Sequence, residues 1–123
     1  MKKTAADMLA AARAVVPNIS VEEAKALLGR PDVLFLDVRD GTEVALGKVK
    51  GALHTQRGLL EFKADPASPY HVKEITPEKT LITYCASGGR SALAGQTLQE
   101  MGYTKVFNLG KFQDWKDGGG EVE

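Results

Sequence analysis

The 123-residue chain is predicted to fold as one α/β domain around a central, mostly parallel sheet of about five strands. Two observations predict it. Apolar, β-branched and aromatic runs recur at 33–38 (VLFLDV), 80–85 (TLITYC) and 105–110 (KVFNLG), each nearly continuous, as in strands covered on both faces. Helix-patterned segments separate these runs, in the alternation that right-handed crossovers between parallel strands require. A chain of this length buries roughly two thirds of its unfolded surface, so it needs no staples.

The N-terminal MKKTAADMLAAARAVVPNIS begins with two lysines, like a signal peptide, but Asp7 and Arg13 interrupt the apolar run that would follow. Residues 4–16 read instead as an alanine-rich amphipathic helix. Its apolar positions Met8, Leu9, Ala12, Val15 and Val16 are free to pack on the domain or on a second chain. NIS (18–20) is a candidate edge strand. SVEEAKALLG (20–29) carries Ser20 as N-cap, Glu23 to complete a capping box and Gly29 as stop. GALHT (51–55) is a further short strand. Residues 56–71 hold a short amphipathic helix with Leu59, Leu60 and Phe62 inward, and 63–79, with three of the five prolines, a surface loop. In SALAGQTLQEMG (91–102) Ala94, Leu98 and Met101 form one stripe flanked by Ala92 and Leu93, and Gly102 ends the helix. Phe112 and Trp115 read as core, and DGGGEVE (117–123) as disordered. The expected organisation is an N-terminal helix (1–17), a domain (18–120) and a tail (121–123).

Composition narrows function. Sixteen basic residues balance sixteen acidic ones, so there is no basic field for nucleic acid or anionic lipid. No run approaches the roughly 20 apolar residues of a membrane span. A single cysteine makes no internal disulfide, and a cytoplasmic setting is expected.

That cysteine, Cys85, closes a strand, and a helix-like segment opens by Ser91. Ligands of open α/β sheets bind beyond the carboxyl ends of strands, where a following helix offers free N–H groups and the positive end of its dipole. Ala86, Ser87, Gly88 and Gly89 are small. The glycines allow positive φ, so successive amides can converge on one point. Such a nest beside Arg90, with a hydroxyl from Ser87, would pull a thiol below its usual value near 8.5. The plainer alternative is a buried, inert cysteine at a strand end. Asp37, Arg39 and Glu43 read first as a polar cluster pinning loop geometry, and second as a catalytic relay. His54 and His71 with Cys85 match no zinc spacing, so no metal is expected. His54 and Arg57 are candidates for the mouth of a pocket.

With these residues in place, the chain resembles the rhodanese-like sulfurtransferases from about Asn18 to Gly120. DVRDGTEVALGKVKGALH (37–54) is similar to the family's first signature through Asp37, Arg39, Glu43, Gly47, Gly51 and Ala52. YCASGGRSALA is similar to its active-site loop, and NLGKFQDWKDGG to its closing motif. The resemblance implies a three-layer α/β/α fold in which Cys85 takes a sulfane sulfur from thiosulfate or a persulfide, becoming a persulfide itself. It would pass that sulfur to a thiophilic acceptor: cyanide in vitro, a thiol or an acceptor protein in the cell. The amides of 86–90 would hold the sulfur anion and Arg90 would attract the donor. No cofactor is implied, and the chain would act as monomer or homodimer without nucleic acid or membrane.

Two departures, Lys48 where many relatives have histidine and Lys111 in place of a glycine, bear on donor or acceptor choice. Cysteine-dependent phosphatases and arsenate reductases are the enzymatic rivals. The phosphatases place five residues between cysteine and arginine, whereas four stand here, after Tyr84 and not a histidine. A non-catalytic rhodanese-like interaction module is the other alternative, although such modules usually lose the cysteine that this chain keeps.

Overall fold

A computed structural model describes residues 2–123. Helix α1 (Ala5–Val15) opens with a capping box, in which the Asp7 amide donates to Thr4 Oγ1 at 3.1 Å and the Asp7 carboxylate accepts from the Thr4 amide at 3.0 Å. The expected Ser20–Glu23 box starts α2 (Val21–Leu27), and Gly29 follows in the left-handed region at φ 84°. Then come β1 (Val33–Asp37), α3 (Gly41–Val44), β2 (Leu53–His54) and a 3-10 turn (Arg57–Leu59) that runs into α4 (Leu60–Ala64). The chain closes with β3 (Thr80–Cys85), α5 (Gly89–Glu100), β4 (Val106–Lys111) and α6 (Phe112–Asp117).

The sheet is parallel throughout, in the order β2-β1-β3-β4, which places β3 and its terminal cysteine in the interior. Alternation along the strands divides the core between two faces. Leu34 and Leu36 of β1 and Val38 just beyond it, with Leu81 and Cys85 of β3, point to the side of α4 and α5, where they meet Leu60, Ala64, Ala94 and Leu98. Phe35, Ile82 and Tyr84 point to the side of α2 and α6, against Ala24, Phe112 and Trp115. This is the expected three-layer arrangement.

It has four strands where about five were expected. Asn18 makes only an isolated parallel bridge to Asn108, because Ser20 already caps α2 and leaves no residues to extend a strand. The inward set expected for 56–71 is also corrected. Leu60 and Ala64, an i, i+4 pair, are buried, while Leu59 and Phe62 are exposed. The 63–79 loop runs over the surface yet is pinned by Ile75, which is fully buried. The C-terminal residues expected to be disordered are paired: Val49 and Val122 form an antiparallel bridge, and Lys48 and Glu123 exchange backbone hydrogen bonds at 3.0 and 2.9 Å. Trp115, fully buried, lies flat on Gly120, where no Cβ would fit, and donates from Nε1 to the Glu121 carbonyl at 2.9 Å.

Helix α1 packs along α5. Ala12 and Val16 are buried and Leu9 is half-buried, while Met8 and Val15 remain exposed. Val16 is seated against Gly95: a Cβ there would fall 2.8 Å from a Val16 methyl. Among the described residues, no helix is long and apolar enough to cross a membrane.

Candidate active site

Cys85 is fully buried at the end of β3. The chain then passes through Ala86 and Ser87, both exposed, to Gly88, which is left-handed at φ 89° and serves as N-cap of α5. That conformation, costly for any residue with a Cβ, turns the Gly88 amide back onto the sulfur at 3.0 Å. The helix starts at Gly89, two residues before the expected Ser91, so Arg90 and Ser91 lie in its first turn. A twelve-residue helix therefore points its positive end at the thiol.

Ser91, not Ser87, supplies the hydroxyl. Its Oγ lies 3.5 Å from Cys85 Sγ and donates to the Gly88 carbonyl at 3.1 Å. Thr83 fixes the same turn from below by donating to the Ser91 carbonyl at 3.0 Å. Burial alone would push the thiol up. The Ser91 hydroxyl and the amides of Ser91, Gly88 and Ser87 outweigh it and bring the thiol below its usual value. Ser87 thus acts through its backbone. Sequence reasoning missed Ser91 by reading it only as the start of the helix; a hydroxyl three residues after the turning glycine was the available signal.

The charged residues form two separate pairs. Asp37 and Arg39 are buried in a forked contact, with Nη2 to Oδ2 at 2.7 Å and Nε to Oδ1 at 2.9 Å. Tyr84 donates to Asp37 Oδ2 at 2.6 Å and accepts from the Val49 amide at 3.0 Å. Arg39 also donates to the Gly47 carbonyl at 2.7 Å, with its guanidinium 4.4 Å from the Phe112 ring centre. Burial first, then the bond to Asp37, pushes the Tyr84 phenol far up. The hydrogen bonds to Asp37 raise the Arg39 guanidinium further. This cluster ties β1 and β3 to the 38–49 loop and does not touch the sulfur.

Glu43 belongs to the other pair. Its carboxylate takes both terminal nitrogens of Arg90, at 2.9 and 3.1 Å, across the gap between α3 and α5. The Arg90 hydrogen bond holds the Glu43 carboxyl below its ordinary value, and Glu43 in turn raises Arg90. Arg90, expected as the cation for an incoming anion, is already neutralised. A shallow cavity of about 210 Å³ opens between Arg39, Glu43, Leu46, Gly47, Phe112 and Lys116 beside this pair.

The remaining candidates are placed apart. His54 Nε2 lies 2.7 Å from the Arg39 carbonyl and so braces the 38–49 loop. Arg57, expected at the mouth of a pocket, is bound to Glu61 at 3.1 Å and to Thr97 of α5 at 3.0 Å. Lys48 is held by Glu123 and the Ala52 carbonyl. Among the described residues, no group of histidine, cysteine and carboxylate side chains has the arrangement of a metal site.

Comparison with known proteins agrees with this geometry. The family profile of the rhodanese-like domain matches residues 20–117. The chain is 31% identical over 100 residues to the thiosulfate sulfurtransferase GlpE of Tolumonas auensis, a match covering 80% of this chain and 87% of that protein. The human single-domain sulfurtransferase TSTD1 superposes with a TM-score of 0.69 at 27% identity, over 83% of this chain and 96% of that one. A Rhodopseudomonas palustris protein, described as of unknown function and a possible tyrosine phosphatase, superposes at 0.91 with 37% identity, over 100% of this chain and 96% of its own.

Proposed function

The chain belongs to the rhodanese-like domain family, and from that premise we propose that it is a sulfurtransferase carrying sulfane sulfur on Cys85. One observation carries the reading. The only thiol of the chain is buried at the mouth of α5, with an amide aimed at it from 3.0 Å and a serine hydroxyl beside it. A group so placed is held below its ordinary value, which favours the thiolate, and a sulfur attached to it remains among donors fixed before it arrives.

The thiolate attacks the outer sulfur of a donor such as thiosulfate. A new S–S bond forms, the donor's S–S bond breaks, and sulfite leaves with the electron pair. The product is a Cys85 persulfide whose terminal sulfur carries the charge. The amides of Ser87, Gly88 and Ser91, which lower the thiol, are placed to stabilise that charge. An acceptor nucleophile then attacks the terminal sulfur and the S–S bond breaks, returning its electron pair to Cys85. Cyanide gives thiocyanate, and a thiolate gives a new persulfide. The protein contributes positioning and charge stabilisation, and the sequence needs no metal or organic cofactor for it.

The description attached to the R. palustris relative raises the phosphatase reading. Only Ala86, Ser87, Gly88 and Gly89 separate Cys85 from Arg90, and Arg90 is bound to Glu43. A cradle of that size suits one sulfur atom better than the three oxygens of a phosphoryl group, which need an unpaired arginine fork. Intact mass decides between them. After incubation with thiosulfate the protein gains one sulfur atom, cyanide removes it as thiocyanate, and Cys85→Ser gains none. No sulfur gained from thiosulfate or glutathione persulfide would sink the reading and leave an interaction module or a phosphatase.

A further inference from the structure

Helix α1 precedes the family-matched stretch, yet it borders the cysteine loop directly. Leu9, Arg13 and Val16 stand at i, i+4 and i+7, on one stripe of α1. Two of the three are fixed by packing. A Cβ on Gly89 would lie 3.4 Å from Leu9, and one on Gly95 would lie 2.8 Å from Val16. Between these anchors Arg13 reaches the loop itself, with Nη2 4.0 Å from the Cβ position of Gly88. Gly88 is the residue whose amide contacts the sulfur. The two contacts and the covalent span of one residue place this guanidinium within about 10 Å of Sγ, roughly one Debye length at 0.1 M salt.

The other arginines near the site are spoken for. Arg90 is forked onto Glu43, Arg39 is buried on Asp37, and Arg57 is bound to Glu61 and Thr97. Arg13 is exposed and makes no salt bridge among the described residues. A planar guanidinium with free donors matches two oxygens of a sulfonate group.

We propose that Arg13, carried by α1 to the Gly88 edge of the cysteine loop, is the donor-recognition residue of this enzyme and binds the oxyanion end of the sulfur donor. The proposal rests on the sulfurtransferase reading and gives it a specificity element outside the cysteine loop. Donor sulfur meets Cys85 while the negatively charged remainder lies against α1, so anionic donors are captured at low concentration.

The test is steady-state kinetics of Arg13→Gln, Arg13→Lys and Lys111→Gln. The donor is whichever of thiosulfate and glutathione persulfide loads the wild type, both being anions. Lys111 is the right control, because it is exposed, free of salt bridges among the described residues, and pairs with Cys85 in sheet register. Arg13→Gln is expected to raise the donor KM about five- to tenfold with kcat within twofold, and to flatten its rise with salt. Arg13→Lys should recover most of the loss, and Lys111→Gln should move KM less than Arg13→Gln does. A donor KM for Arg13→Gln within twofold of wild type overturns the proposal, as does a larger shift in Lys111→Gln. A fall in kcat and melting temperature that Arg13→Lys fails to rescue assigns Arg13 to packing and overturns it too. A wild type that takes sulfur from neither donor is a different result: it removes the sulfurtransferase reading, and the role of Arg13 with it.

Discussion

Two loops leave the carboxyl end of the sheet from neighbouring strands, and they are built from different material. The loop after β1 is made of side chains. Asp37 accepts from the Arg39 amide, from both sides of the Arg39 fork and from Tyr84, and Arg39 closes the ring on the Gly47 carbonyl. The loop after β3 is made of backbone, with only the Ser91 hydroxyl added: the Gly88 amide donates to the sulfur, and the thiol faces Ser91 Oγ. The first spends its charged side chains on one another and on the backbone. The second keeps its donors for an atom that comes and goes. A loop that must hold a transient anion gains from donors that cannot swing away, and main-chain amides next to a turning glycine meet that need.

Removing Asp37 is the strongest way to break the contrast. Asp37→Ala leaves the buried Arg39 charge without its partner, and such losses cost about 3–5 kcal/mol. Urea denaturation should find most of the domain's stability gone. In the second loop, Gly88→Ala tests conformation instead of charge. A Cβ has room there, at 3.5 Å from Gly110 Cα, so the cost is the left-handed backbone itself, about 1–2 kcal/mol. Thermal melting should show that moderate loss, and sulfur loading should fall further than the melting shift suggests as the amide turns from Sγ.

Ser91→Ala sharpens the comparison with the smallest change in stability. Losing the hydroxyl lets burial push the thiol back towards its ordinary value near 8.5. The thiolate is the reactive form, so loading rises with pH through the thiol's titration. The variant's rise should lie at higher pH than the wild type's, with loading at pH 7 several-fold slower and the high-pH plateaus converging. Loading rate against pH, followed by mass, checks it.

The same contrast explains what the sequence made legible. Strand runs, the Ser20 box and the position of Cys85 at a strand end are local patterns, and these three were read correctly. Arg90 was read as the residue that attracts the donor, without its partner Glu43, which lies 47 residues away. Ser91 was missed because its role depends on α5 starting at Gly89, and helix ends are the least certain part of a sequence reading. The inward set of 56–71 failed on geometry: at about 100° per residue, Phe62 lies about 160° from Leu60, whose face Ala64 shares instead. The paired C-terminal residues were hidden by three glycines that resemble a linker, although Gly120 is the residue that admits Trp115.

The seat of Val16 on Gly95 has a consequence for how the molecule opens. A glycine inside α5 weakens that helix by roughly 0.5–1 kcal/mol relative to alanine, and the vacant space is filled only when α1 is docked. Lifting α1 therefore uncovers a notch in α5 and exposes Ala12 and Val16 together. The two helices share a fluctuation: a breathing motion that frees α1 also loosens the element whose first turn surrounds the sulfur. The first and fifth helices, far apart in the chain, are thus expected to open as one unit of local unfolding.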